Sequence, residues 1–138
     1  SRVRVTKDDA QNIAINTPVK VEFDDVVFDT LGEWAANRFT AKYAGYYHIA
    51  AAVAFTSRVW TADVQYRIHI YKNGADYSSN HYEIEAGGSF YKSMNITDSV
   101  YLNGSTDYIE FFVYQQQANP ITTWGYAIEN YISIHKIQ

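Results

Sequence analysis

Hydrophobic and polar residues alternate along most of this chain. Segment 64–71 interleaves valine, tyrosine and isoleucine with glutamine, arginine and histidine, and similar alternation recurs at 19–23, 109–113 and 131–137. Successive side chains of a β-strand point to opposite faces, so a period of two is typical of strands with one buried face. Sustained helical periodicity is absent. The pattern therefore predicts an all-β domain.

The strand expected at 46–55 has an unusual second face. Its odd-numbered positions are mostly large and apolar, whereas Ala50, Ala52 and Ala54 occupy most of the even-numbered ones. Small side chains leave room for a close neighbour, so we expect both faces to be covered. One would pack on the core, and the other would lie under a second layer or beside another subunit. The alternative is that the alanines only fill a thin monomer core.

The connections between strands fall into a short and a long class. The short ones contain Ala44-Gly45, Asn73-Gly74 and Asn103-Gly104, and the long ones span 29–37, 57–63, 85–89 and 116–124. Asn-Gly indicates a hairpin because a type I′ turn needs two residues with positive φ. Successive connections of an antiparallel path alternate between the two ends of a sheet. We therefore predict a tight-turn end, where Gln138 also lies, and a long-loop end.

The tryptophans are the sharpest functional signal. Trp34, Trp60 and Trp124 each fall in or beside a long connection. An exposed indole is costly unless it packs or binds, and flat aromatic faces suit sugar rings and protein anchors. We predict that these three residues form a ligand-binding surface at the long-loop end. The alternative is that each folds back and closes that end of the domain.

Composition narrows the class of protein. A chain of 138 residues is most simply one domain, 1–138, with 1–18 as the lead-in from a stalk. The absence of cysteine excludes a disulfide framework and thiol catalysis. The 11 lysines and arginines are scattered and the net charge is −4, so we expect no nucleic-acid partner. The longest apolar stretch, 49–55, is too short to span a bilayer, and we expect no membrane insertion.

No residue pattern in the chain predicts catalysis. The histidines lack the spacing of a zinc site, and we interpret His48, His69, His81 and His135 as ordinary strand residues. A glycosidase needs two facing carboxylates. The acidic residues expected near the long loops show no such pairing; they are Glu33, Asp63, Glu83 and Glu85. We therefore expect no enzyme activity, and a hydrolase hidden in the loops is the remaining alternative.

Four segments together resemble a known family. They read "RFTAKYAGYYHIAAAVAF", "YRIHIYKNG", "SVYLNGSTDYIEFFV" and "NYISIHKI". In order and spacing they are similar to strands of the jelly-roll domain shared by complement C1q heads and tumour-necrosis-factor ligands, over about residues 19–137. Ser133 departs from the family, which usually has glycine there. The resemblance implies an antiparallel jelly-roll sandwich, with its N-terminus at the tight-turn end.

The resemblance also implies a homotrimer with aromatic residues of the closing strand at its axis. Tyr131 matches that aromatic position, and Tyr47 or Phe112 would join it in the trimer interface. Some relatives bind calcium. The acidic cluster of Asp24, Asp25 and Asp29 shows no convergent spacing, so we expect a solvated edge and no cofactor; a bound calcium ion is the alternative.

The resemblance is closest to microbial and phage versions of the fold, which cap fibrous proteins. We therefore expect a non-enzymatic trimeric head at the tip of a phage tail or head fibre or a bacterial surface filament. It would lie outside the cell or on the virion surface and bind a host surface glycan or protein receptor through Trp34, Trp60 and Trp124. The alternative is a structural clasp that holds three chains in register and binds no ligand.

Overall fold

A computed structural model describes residues 1–137, and within that range the chain forms strands and loops without a helix. This confirms the all-β prediction. The strands are β1 (Arg2–Thr6), β2 (Asn12–Ile13), β3 (Val19–Lys20), β4 (Asp25–Asp29), β5 (Trp34–Ala35), β6 (Arg38–Thr40), β7 (Ala44–Trp60), β8 (Gln65–Lys72), β9 (Ala75–Glu83), β10 (Gly88–Asn103), β11 (Tyr108–Gln115), β12 (Ile121–Thr122) and β13 (Tyr131–Lys136).

Two antiparallel sheets form a sandwich. Sheet 1 has the order β10-β7-β13-β1-β4, and sheet 2 has the order β5-β6-β11-β8-β9, with β3 also paired to β11. Strands β2 and β12 form a separate two-stranded ladder. Most neighbours within a sheet are not consecutive in sequence, because the chain crosses repeatedly between the sheets. This path is the jelly roll that the sequence predicted.

The core lies between the two sheets and is built by the alternation seen in the sequence. Tyr47, Ile49 and Phe55 of β7 are fully buried and face the interior. Sheet 2 contributes buried side chains such as Ile68 and Phe111. Burial of these apolar side chains supplies most of the stabilisation.

The alanines of β7 lie on the opposite side, on the outward face of sheet 1. Ala50 and Ala52 are only half-buried there. Ala54 is covered by the loop after β12, where Trp124 N donates to Ala54 O at 2.7 Å. The interpretation that these alanines fill a thin monomer core is therefore wrong for Ala50 and Ala52.

The tight turns meet at one end of the sandwich, as predicted. Ala44 pairs with Asn103, and Ile109 pairs with Lys72, which brings the turns at 73–74 and 103–107 together. The closing strand β13 runs toward this end, where Lys136 N donates to Ser1 O at 3.1 Å. Both ends of the described chain thus lie at the tight-turn end, and Gln138 lies outside the described residues.

The turns themselves differ in detail from the prediction. Asn73 (φ 53°) and Gly74 (φ 80°) both have positive φ, which confirms a type I′ turn between β8 and β9. Asn103 instead begins a longer loop, in which its Oδ1 accepts hydrogen bonds from the backbone N–H groups of 105–107 at 3.0 Å each. Gly45 lies inside β7 and is not a turn residue.

The prediction that all long connections share one end is wrong for 29–37. Trp34 pairs with Phe39, which pairs with Ile109 near the start of β11, so this segment lies at the tight-turn end. The cause is a hairpin between β5 and β6, in which Ala36 and Asn37 have positive φ of 51° and 56°. The prediction did not include strand β5, so it counted one reversal of the chain too few.

Candidate functional site

Two of the three tryptophans predicted to bind a ligand belong to the core. Trp34 is 9% exposed and its Nε1 donates to Phe23 O at 3.1 Å. Trp60 is 1% exposed and its Nε1 donates to Phe90 O at 2.9 Å. A buried indole whose N–H already has a carbonyl partner has no free face for a ligand. The predicted ligand-binding role is therefore wrong for Trp34 and Trp60, which also lie at opposite ends of the sandwich.

Trp124 is different, because it belongs to a partly exposed group of rings at the long-loop end. Its ring centre lies 4.7 Å from that of Tyr91, edge to face, and 4.8 Å from that of Tyr126 at a tilt of 34°. Tyr91 is 60% exposed and Tyr126 54% exposed. We call Tyr91, Trp124 and Tyr126 the aromatic cluster. The sequence identified one of its three members.

A buried asparagine fixes the loop that carries Trp124. Asn130 Nδ2 donates to Trp124 O at 2.5 Å and to Tyr126 O at 3.0 Å, and its Oδ1 accepts from Ala54 N at 2.9 Å. One side chain thereby ties the loop to β7. The aromatic cluster is thus held in place by the fold, which lowers the entropy cost of binding.

The outward face of sheet 1 next to the aromatic cluster contains a groove of about 400 Å³. Tyr131 stands beside it, half-buried, with the Arg4 guanidinium 4.7 Å from the ring centre. Most of the side chains around the groove are small or polar; they are Ala50, Ala52, Ser93, Asn95, Thr97, Glu129 and Tyr131. We call these residues the small-residue face.

The three residues predicted for the trimer interface lie in three different places. Tyr47 is fully buried in the monomer core, where its hydroxyl donates to Tyr43 O at 2.7 Å. Phe112 lies on the outward face of sheet 2, stacked on Tyr71 at 4.2 Å. The interface assignment does not hold for Tyr47, which has no exposed surface, and Phe112 faces away from Tyr131. Tyr131 remains the candidate on the small-residue face.

Two of the acidic residues considered for calcium or catalysis, Asp29 and Glu33, accept local hydrogen bonds. Burial raises the pKa of Asp29, but hydrogen bonds from backbone N–H groups outweigh it and lower the pKa overall; the donors include Trp34 N at 2.8 Å. Glu33 is buried at the tight-turn end and accepts from Lys42 N at 2.9 Å and from Ser1 Oγ. In residues 1–137 no three His, Cys, Asp or Glu side chains converge on a point that could hold a metal ion.

The histidines do not behave alike. His69 is buried, with its Nδ1 3.0 Å from Asp76 Oδ2, and His81 is exposed on β9. His48 and His135 are directly opposite each other on β7 and β13, with ring centres 5.3 Å apart. The sequence analysis missed this contact, because β7 and β13 are far apart in the chain and their register cannot be read from spacing.

Within residues 1–137, no helix has the length and hydrophobicity needed to span a bilayer.

No protein-family model matches the sequence, and the curated proteins contain no match. Solved structures do match. Eiger TNF from S. frugiperda has a TM-score of 0.70 at 8% identity, covering 99% of this chain and 92% of that one. The globular domain of zebrafish complement 1qA has a TM-score of 0.65 at 11% identity, covering 99% and 97%. Murine APRIL at pH 5.0 has a TM-score of 0.70 at 11% identity, covering 99% and 98%.

This is the jelly roll of tumour necrosis factor and C1q head domains. At these identities the comparisons establish the fold alone. They confirm the resemblance read from the four sequence segments. They do not support the microbial or phage type of this fold, which stays a prediction.

Proposed function

We propose that this chain is a non-enzymatic head domain that assembles as a homotrimer and binds a ligand through the aromatic cluster. The observation that carries the proposal is the small-residue face. β7 has 17 residues and lies between β10 and β13 in sheet 1, yet its outward side chains at Ala50 and Ala52 leave a groove rather than a covered layer. Small side chains permit close approach of another chain, and Tyr131 adds apolar area beside them.

The assembly is tested by a charge substitution at Tyr131. We choose Tyr131→Lys because Arg4 lies over the ring and would neutralise an aspartate. Three lysines buried together beside arginines would each cost several kcal/mol, more than the interface can absorb. Light scattering should give three times 15.8 kDa for the unmodified chain and a monomer for the variant.

Tyr114→Lys is the matched control. Tyr114 is also half-buried and also has a guanidinium near its ring, that of Arg67 at 5.3 Å, but it lies on the outward face of sheet 2. The Tyr114→Lys substitution should leave the mass of the assembly unchanged. A mass of 15.8 kDa for the unmodified chain at micromolar concentration, or equal effects of both lysines, would overturn the proposed assembly.

The proposed ligand is a host surface glycan or a receptor that offers a flat apolar face. The three aromatic rings, two of which lie on the loop that Asn130 fixes, form a platform on which a sugar ring can stack. Trp124→Ala should abolish binding on a glycan array or to cells of the host without changing the mass of the assembly. Tyr43→Ala is the control, because Tyr43 is an aromatic residue as exposed as Tyr91 and Tyr126, at 59%, but lies at the tight-turn end.

We further propose that the domain stands at the tip of a fibrous protein, such as a phage tail or head fibre or a bacterial surface filament. Its place would be outside the cell or on the virion surface. The polarity supports this, because Ser1 is beside Lys136 at the tight-turn end and the aromatic cluster is at the other. A segment preceding Ser1 would therefore enter away from the ligand-binding end.

A second candidate is a structural clasp that binds nothing. The burial of Trp34 and Trp60 favours it, because two of the three expected contact residues are used in the core. An assembly that stays trimeric and binds no glycan or host cell would establish the clasp and exclude the ligand-binding head.

A further inference from the structure

The contact between His48 and His135 lies on the outward face of sheet 1, apart from the aromatic cluster. The two residues are a direct cross-strand pair of β7 and β13. His48 is half-buried and His135 is exposed in the single chain, so both imidazoles lie at its surface. Their ring centres are 5.3 Å apart and the ring planes are inclined by 52°.

This spacing matches the separation of two imidazoles that share one metal ion. A zinc–nitrogen bond is about 2.0–2.1 Å, and the ring centre lies about 1.1 Å behind the nitrogen, so each centre would be about 3.2 Å from the metal. At a tetrahedral angle the two centres are then about 5.2 Å apart. The observed 5.3 Å agrees with this separation, so rotation of the two side chains is enough to direct a nitrogen of each ring at one ion.

The neighbouring positions leave room for an ion and its water ligands. Ser99 is opposite His48 on the other side of β7, and Ala50 and Ser133 form the next row of the same face. All three side chains are small, whereas the next row toward the tight-turn end holds Tyr46 and Tyr101, which pack on each other with ring centres 5.5 Å apart. The charged neighbour is Arg2, opposite His135 on β1, whose exposed side chain can turn its guanidinium into solvent.

We propose that His48 and His135 together bind one divalent transition-metal ion of the zinc class. Imidazole suits zinc, copper and nickel, and two nitrogens from facing strands form a rigid chelate. Since no third His, Cys, Asp or Glu converges with them within residues 1–137, water fills the remaining positions. Both ligands come from one chain, so the site does not depend on the proposed trimer.

The test is a titration of the metal-free chain with zinc chloride, followed by calorimetry, and with cobalt chloride, followed by visible absorption. We expect one ion per chain and a tetrahedral cobalt spectrum. His48→Ala or His135→Ala should weaken binding at least tenfold, and His81→Ala should leave it unchanged.

A second set of variants separates ligation from folding and from assembly. His48→Cys keeps a zinc ligand at the same position and should retain binding, whereas His48→Gln should lose it. Tyr131→Lys should still bind one ion per chain even as a monomer, so failure of the assembly leaves this result intact. Equal zinc binding by the original chain and the His48→Ala, His135→Ala double variant, or no binding by the original chain, would overturn the site.

Discussion

Trp60 and Trp124 lie at the same end of the sandwich but in different surroundings. The Trp60 ring is 6.0 Å from that of Phe55 and 5.5 Å from that of Tyr66, and the side chain is 1% exposed. Trp124 is half-buried between two exposed tyrosines. Hydrophobic stabilisation follows the apolar area removed from water, so the two indoles contribute to different properties. Trp60 supports the fold, and Trp124 is available for contact.

Alanine substitution should separate these two roles. Trp60→Ala leaves a large cavity and should reduce the free energy of unfolding by about 3–5 kcal/mol. Trp124→Ala removes a side chain that solvent already reaches, and we expect a loss of about 1 kcal/mol or less. Urea unfolding of both variants at one protein concentration measures the difference. Similar losses of unfolding free energy in the two variants would show that Trp124 is also a core residue. Trp124 would then no longer be a candidate for ligand binding.

Residue type alone could not have distinguished these tryptophans. The sequence shows three indoles near long connections, but their N–H partners are distant: Phe23 for Trp34, and Phe90 for Trp60. Whether an indole finds a carbonyl depends on how the two sheets close, which spacing does not encode. Local features were predicted better, and the Asn73-Gly74 turn is confirmed because it depends only on two adjacent residues.

At the scale of elements, one buried carboxylate links three strands of sheet 2. Glu110 of β11 is 2.8 Å from Lys20 Nζ of β3 and 2.9 Å from Arg38 Nη2 of β6. Burial raises the pKa of Glu110, but the hydrogen bonds and charges of Lys20 and Arg38 outweigh it and lower the pKa overall. The charged form is therefore favoured in the folded state.

This shift makes stability depend on pH in a defined direction. Because the folded pKa of Glu110 is below its unfolded value, the stabilisation is complete above that unfolded value, about pH 4.3, and is lost as pH falls through the folded pKa. Glu110→Gln should lower the melting temperature at pH 7. On further acidification the melting temperature of this variant should fall less than that of the unmodified chain. Thermal unfolding between pH 7 and 3 tests this. Parallel pH profiles for the two proteins would show that Glu110 is not responsible.

The element order shows where sequence patterns stop being informative. Long alternating strands such as β7, β8 and β11 were predicted because each carries its own period of two. Strand β5 was missed because it has two residues, and its turn at Ala36-Asn37 lacks the glycine that usually marks positive φ. That one omission placed Trp34 at the wrong end of the molecule.

At the scale of the whole molecule, the alanine pattern predicted a surface but not its occupant. The parity of β7 correctly indicated that Ala50 and Ala52 share a face opposite Tyr47. It could not place Tyr131 beside them, because β13 pairs with β7 across 79 residues of sequence, at Tyr131↔Ala52, and not within one hairpin. Part of the small-residue face thus follows from the local alternation within β7, and part follows from the pairing of β13 with β7.

A trimer through this face would link stability to concentration. When folded trimers unfold to single chains, a higher protein concentration raises the free energy of unfolding per chain. The increase is about two-thirds of RT times the natural logarithm of the concentration ratio, or about 2 kcal/mol for a hundredfold increase. For a domain of this size that corresponds to a rise of about 5 °C in the melting temperature. Scans at 1 and 100 times a low micromolar concentration measure it. Tyr131→Lys should remove the dependence while Tyr114→Lys keeps it, and a melting temperature that is constant for the unmodified chain would mean that the small-residue face holds no second copy.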